Sequence, residues 1–223
     1  METLAFKNAS RVQQSLLAPL EKPTLLWLAA RMPARVGPDH LSALGLLAML
    51  GGGAGYWLSR GNPAWLHFVN LMLLLNWFGD SLDGTLARVR QRQRPRYGFY
   101  VDHIIDTYGA LFLLGGLSLS GYMSVTAALF LLVAYLMLAI NSYLAAYTLG
   151  TFAISFGKFS PTELRLLLIA GNLTLFSHPR PKIFGHKFNL FDIGGAVAIV
   201  LMLLLFIVLT AQNARRLYEA EKV

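Results

Sequence analysis

The chain has 223 residues, 56% of them hydrophobic and 13% charged, with a mean hydropathy of +0.53, a balance that excludes an ordinary soluble domain and points to an integral membrane protein. It has no cysteine, so disulfides and thiolate metal sites are excluded and any metal must take oxygen or imidazole ligands. The formal charge is +8, but the basic residues flank apolar segments, so they report membrane topology rather than nucleic-acid binding.

The opening residues, METLAFKNASRVQQSLLAPLEKP, lack an uninterrupted apolar core followed by a small-residue cleavage site, so no removable signal peptide is expected. The stretch VQQSLLAPLEKPTLLWLAARMP mixes apolar and polar residues and is broken by Pro19 and Pro23. It predicts an interfacial amphipathic helix within an N-terminal segment, residues 1–37. Residues 38–223 then carry six stretches that approach the roughly 20 apolar residues of a helical span: 39–59, 64–87, 99–119, 122–148, 161–177 and 192–212. The expected fold is an all-α integral membrane protein with six transmembrane helices preceded by the interfacial helix. The run Gly51–Gly53 lies in mid-span, away from any strand, and reads as close helix packing rather than a phosphate loop.

Six spans return the chain to its starting side. That arrangement places fifteen of the nineteen Lys and Arg on the face of the termini, leaving only Arg60, Arg180, Lys182 and Lys187 opposite. By the positive-inside rule both termini and the loops after the second and fourth spans are cytoplasmic. The loop arginines at 88, 90, 92, 94 and 96 read by default as topology, in a solvated or lipid-phosphate-facing loop beside a bilayer with anionic lipids.

Of eleven Asp and Glu, four fall at the facing ends of spans two and three: Asp80, Asp83, Asp102 and Asp106. With span two starting near Pro63, Asp80 lies about 25 Å along it, close to its cytoplasmic end. A short linker, VRQRQRPRY, brings the two ends together. Asp80 and Asp83 are three apart and Asp102 and Asp106 four apart, so each pair shares one helix face. Like charges so placed repel and are costly at membrane depth, so a cation must compensate. Salt bridges to the arginine-rich linker would do it, but two carboxylate pairs suit two hard divalent ions, Mg²⁺ or Mn²⁺, better. An EF-hand does not fit, because DSLDGT lacks the alternating oxygen ligands and the later Glu. Gly84 reads either as a helix-packing glycine or as clearance for a ligand. Arg88 reads as a partner for lipid or substrate phosphate.

The pattern Asp80-x-x-Asp83-Gly84-x-x-Ala87-Arg88, nine residues, then Gly98-x-x-x-Asp102-x-x-x-Asp106 resembles the signature of the CDP-alcohol phosphotransferase family, complete at every defining position. The motif covers only 27 residues, but six spans after an amphipathic helix are also similar to the family. The resemblance implies an enzyme that moves a phosphate-linked alcohol group from a CDP-alcohol donor to an alcohol acceptor and releases CMP. It further implies two metals on Asp80, Asp83, Asp102 and Asp106, with Asp106 also the base for the acceptor's proton, and Gly84 and Arg88 at the nucleotide or diphosphate. Phospholipid synthesis, lipid substrates and a homodimer follow as expectations.

GPDHLSALG, residues 37–45, is similar to the family's entry to its first span and would add Asp39 and Ser42 to the CDP contacts. Asp39 stands where Asn is usual, and a helix N-cap is its alternative role. His103 after the third aspartate, and SPTELR with Glu163, resemble the ethanolamine and choline phosphotransferase branch, which places both on the substrate side with a diacylglycerol-like acceptor. SPTE also reads as a plain capping box. CDP-diacylglycerol with a small polar acceptor is the other arrangement, and the chain's small size fits a prokaryotic cytoplasmic membrane. A divalent-cation transporter is the competing class, since intramembrane carboxylates also mark ion paths, although here they cluster at one interface.

Overall fold

The computed structural model describes residues 10–12, 17–153, 160–177, 181–183 and 186–222. Lys7, Lys158 and Arg180 of the charge count, and residues 1–9 and 13–16 of the N-terminal segment, lie outside them. Seven helices follow in order: α1 (Ala18–Arg31), α2 (Pro38–Ser59), α3 (Trp65–Val89), α4 (Pro95–Ser120), α5 (Val125–Thr148), α6 (Pro161–Leu175) and α7 (Leu190–Ala220). Two minimal pairings stand beside them. β1 (Ser10–Val12) runs parallel to β2 (Thr151–Ala153), and β3 (Lys182–Ile183) is antiparallel to β4 (His186–Lys187). The all-helical expectation therefore needs this small addition, in which connecting backbone satisfies its own polar groups. By length and composition α2, α5 and α7 are long and apolar enough to cross a membrane.

Local sequence explains most ends. Prolines open α2, α4 and α6 in the first turn, where a missing N–H costs nothing. Gly121, at φ 83°, closes α4 in the left-handed region that glycine tolerates. Ser124 caps α5, its hydroxyl accepting the Ala127 N–H at 3.2 Å. Three expectations need correction. Pro19 and Pro23 do not break α1: Pro19 opens the helix, and Pro23 lies inside it in the second turn, where the neighbouring residues carry the helix past the one hydrogen bond it forfeits. Asp39 is not an N-cap, because Gly37 takes that position and Asp39 lies inside the first turn of α2. The last helix continues past residue 212 to Ala220, with an Arg215–Glu219 pair at 2.7 Å on its exposed final turns.

The core is the contact of α2 with α3 and α4. A Cβ on Gly53 would collide with the Phe112 carbonyl, and one on Gly79 would come 2.5 Å from the Leu41 carbonyl, so these glycines let backbones touch. Tyr56, Leu66, Val69, Leu73, Leu113 and Leu117 fill the centre. A second apolar cluster joins Leu25 and Ala29 of α1 to Leu41, Leu82 and Leu86. That cluster seats α1 beside the end of α3 that carries Asp80 and Asp83.

Candidate active site

A cavity of about 350 Å³ opens where the end of α3 meets the starts of α2, α4 and α6, with α1 and α5 as side walls. All four aspartates line it, together with Asp39, Ser42, Gly84, Arg88 and His103. The short link between α3 and α4 accomplishes this, since it returns the chain beside the turn it has just left. Among the described residues, no three His, Asp or Glu side chains are gathered closely enough to hold a metal ion as they stand.

Each carboxylate has its own surroundings. Ser42 donates to Asp83 Oδ2 at 2.5 Å, and the Gly84 N–H donates to Oδ1 of the same side chain. Asp80 accepts from Arg165 Nη2 at 2.5 Å, and Arg165 Nε is fixed at 2.7 Å by Asn76 Oδ1. Asn76 in turn donates to the Gly45 carbonyl at 3.0 Å, which locks this chain of contacts to α2. Asp102 Oδ2 lies 3.6 Å from His103 Nδ1, beyond hydrogen-bond reach. The imidazole stacks on Tyr143, centroids 4.9 Å apart, and meets Phe99 edge-on at 4.2 Å. An added Cβ at Gly84 would meet only Arg88 Nη1, at an ordinary 3.5 Å. Helix packing therefore does not require a glycine there, and the missing side chain instead leaves room in the cavity.

The loop arginines are more than topology. Arg88 donates to Thr85 Oγ1 at 2.9 Å and lines the cavity with Arg92 and Arg94. Arg90 binds the carbonyls of Met32 at 2.8 Å and Pro33 at 2.9 Å, and that of Val36, so it clamps the α1–α2 link. Arg94 pairs with Asp39 at the cavity rim, both about half exposed, and stacks over Tyr97 at 4.1 Å.

Glu163 is not brought into the cavity. Its Oε2 accepts the Ser160 N–H at 2.9 Å and the Ser160 hydroxyl, and its Oε1 accepts the Leu17 N–H at 3.0 Å, so it completes the capping box and ties the start of α1 to α6. Sequence reasoning missed Arg165 and Glu21. Glu21 Oε1 collects Trp77 Nε1 at 2.8 Å, Ser81 Oγ at 3.1 Å and Thr162 Oγ1 at 2.8 Å, joining α1 to α3 and α6 on the cavity wall. A signal for Arg165 existed: it is the lone cation of its helix, and an ionisable side chain in an apolar helix of a membrane protein marks a candidate site by default.

This arrangement can hold a polyanion through Arg88, Arg92 and Arg94 while presenting carboxylates to a reacting hydroxyl. No curated protein matches the chain. The family model described as CDP-alcohol phosphatidyltransferase matches residues 37–212, from the cap of α2 into α7, and so includes every aspartate of the cavity while leaving α1 outside. The match over most of the chain, which takes in the four aspartates lining one cavity, makes this protein a member of the CDP-alcohol phosphatidyltransferase family, transferases of substituted phosphate groups that serve phospholipid synthesis.

Proposed function

We propose that this chain is a six-span membrane enzyme that transfers a phosphate-linked alcohol group from a CDP-alcohol to a lipid alcohol at the cavity between α3 and α4, with two divalent ions, Mg²⁺ or Mn²⁺, held by Asp80, Asp83, Asp102 and Asp106. The observation that carries the reading is the convergence of these carboxylates from two helix ends into one cavity that Arg88 also lines, beside the open position at Gly84. The donor set suits a hard divalent ion: carboxylates, the Ser42 hydroxyl, no thiol, and a guanidinium standing in as a cation at Asp80. When bound, such ions neutralise the diphosphate and stabilise the departing CMP phosphate.

The protein's own groups do the rest. Arg88 orients the diphosphate by charge-assisted hydrogen bonds, and Asp39 and Ser42 border the nucleotide. Asp106 accepts the proton of the acceptor hydroxyl as its oxygen bonds to the β-phosphorus; the bond from that phosphorus to the bridging oxygen breaks, and its electron pair leaves with CMP. The DHIID and SPTELR stretches favour CDP-ethanolamine or CDP-choline as donor with a diacylglycerol-like acceptor. His103, stacked on Tyr143, would then border the transferred alcohol, and Glu163 would hold α6 in place. In this reading α1 lies at the cytoplasmic interface, both termini face the cytoplasm, and two copies form a homodimer.

The test is CMP release by purified protein in lipid, crossing CDP-choline, CDP-ethanolamine and CDP-diacylglycerol against lipid and polar alcohols, with and without Mn²⁺. Metal-dependent CMP from one pair, lost in Asp106→Asn, is the expected result. Metal-independent release, or none from any pair, would sink the proposal.

A further inference from the structure

Arg165 stands out among the cavity's basic residues. Arg88, Arg92 and Arg94 belong to the end of α3 and the link after it, whereas Arg165 enters from α6 and its side chain is only 12% exposed. Its contacts are divided. Nε is held by Asn76 and Nη2 by Asp80, while Nη1 is buried and has no hydrogen-bond partner among the described residues. A buried donor left unsatisfied is costly, and a guanidinium with spare donors readily exchanges partners. Asp80, for its part, is one of the four proposed metal ligands, and its Oδ2 is occupied by this cation.

We infer that Arg165 is a displaceable cation at Asp80, which makes metal binding conditional on the CDP substrate. This rests on the two-metal reading above. Without nucleotide, the guanidinium neutralises Asp80 and keeps it out of the metal set. A divalent ion arriving alone must break that ion pair and then sit beside the guanidinium it has displaced, which repels it at short range in a poorly screened cavity. The diphosphate removes both obstacles. It adds ligands and negative charge on the metal side, and it offers Arg165's spare donors an anionic partner. Metal and nucleotide then promote each other's binding by the same factor, as linkage requires. For the enzyme this avoids a stably metal-loaded, substrate-free site in which a water molecule occupies the acceptor's place.

The experiment is Mn²⁺ titration of the full chain in nanodiscs, read by loss of the free Mn²⁺ spin-resonance signal, with and without CDP. Wild type should bind Mn²⁺ weakly alone and about tenfold or more tightly with CDP, a size usual for linked sites. R165M should bind Mn²⁺ alone about tenfold more tightly than wild type and lose most of the CDP enhancement, a gain that structural damage does not produce. R165K keeps a cation within the cavity but cannot serve Asn76 and Asp80 together, so it should lie between; if R165M does not fold, tighter binding by R165K carries the inference. R92Q removes the same charge from the same cavity without touching Asp80 and, measured without CDP, where its contact with a polyanion plays no part, should leave Mn²⁺ affinity close to wild type. Wild-type Mn²⁺ binding that R165M and R165K leave unchanged or weaken overturns this inference alone, as does equal tightening by R92Q. Absence of Mn²⁺ binding in every form, CDP included, overturns the two-metal reading and this inference with it.

Discussion

The pair formed by α5 and α7 is the more apolar, with mean hydropathies of 2.1 and 2.9 over their most apolar stretches against 1.4 for α2, yet it is the body formed by α2, α3 and α4 that packs more closely. Along α2, eight residues are buried, five of them Gly or Ala, and its backbone comes into direct contact with α3 and α4. Along α7, only Gly195 is buried, while Val197, Val200, Leu201, Leu204 and Ile207 are exposed. Apolar side chains gain little by leaving lipid for one another, so hydrophobicity does not decide which helices close up; small residues and polar contacts do. The closely packed body is also the part that carries the aspartates. Its rigidity holds the ends of α3 and α4 in register, which α5 and α7 are not built to do.

Five substitutions test this contrast. Asp106→Asn, at the end of the rigid body, should lower CMP release by about 10³-fold, the usual worth of a positioned general base, with the helical content by circular dichroism unchanged. Gly53→Ala should drive a methyl into the Phe112 carbonyl and cost about 2 to 3 kcal/mol of stability, as overpacking does. Its counterpart Gly194→Ala, on α7 with nothing within 4 Å of the new Cβ, should be neutral or stabilising. Thermal unfolding in detergent compares the two, and an equal loss would erase the distinction between body and pair. Ser160→Ala removes the cap of α6 and a donor to Glu163. It should cost about 1 kcal/mol and raise proteolytic cleavage at the start of α1, because Glu163 also anchors Leu17. The smallest loss belongs to the outer pair. Asn141→Ala breaks bonds to Thr210 at 2.8 Å and Asn213 at 3.2 Å, and should cost about 0.6 kcal/mol, the mean for such contacts between membrane helices.

The sequence by itself determined the helical class, the placement of the helices to within a few residues except at the end of α7, and the meeting of four aspartates. Each of these depends on short-range relations. Helix period places Asp80 beside Asp83 and Asp102 beside Asp106, and a link of a few residues leaves the ends of α3 and α4 nowhere to be but together. The use of the glycines at 51–53 in packing was legible for the same reason, since a side-chain-free stripe in mid-span has few other uses. Asp39 was ambiguous because its partner, Arg94, lies 55 residues away, and the default reading of the loop arginines missed the clamp that Arg90 places on the α1–α2 link.

Only the tertiary structure decided which distant groups complete the site. Arg165 reaches Asp80 across 85 residues, Glu21 reaches Thr162 across 141, and Leu17 reaches Glu163 across 146. No periodicity encodes such contacts, because they depend on how α6 and α1 settle against α3 once the close-packed body has formed. Glu163 shows the same limit from the other side. Its spacing from Ser160 suits a capping box and a substrate contact equally well, and only the approach of α1, which takes its second oxygen, committed it to holding helices together.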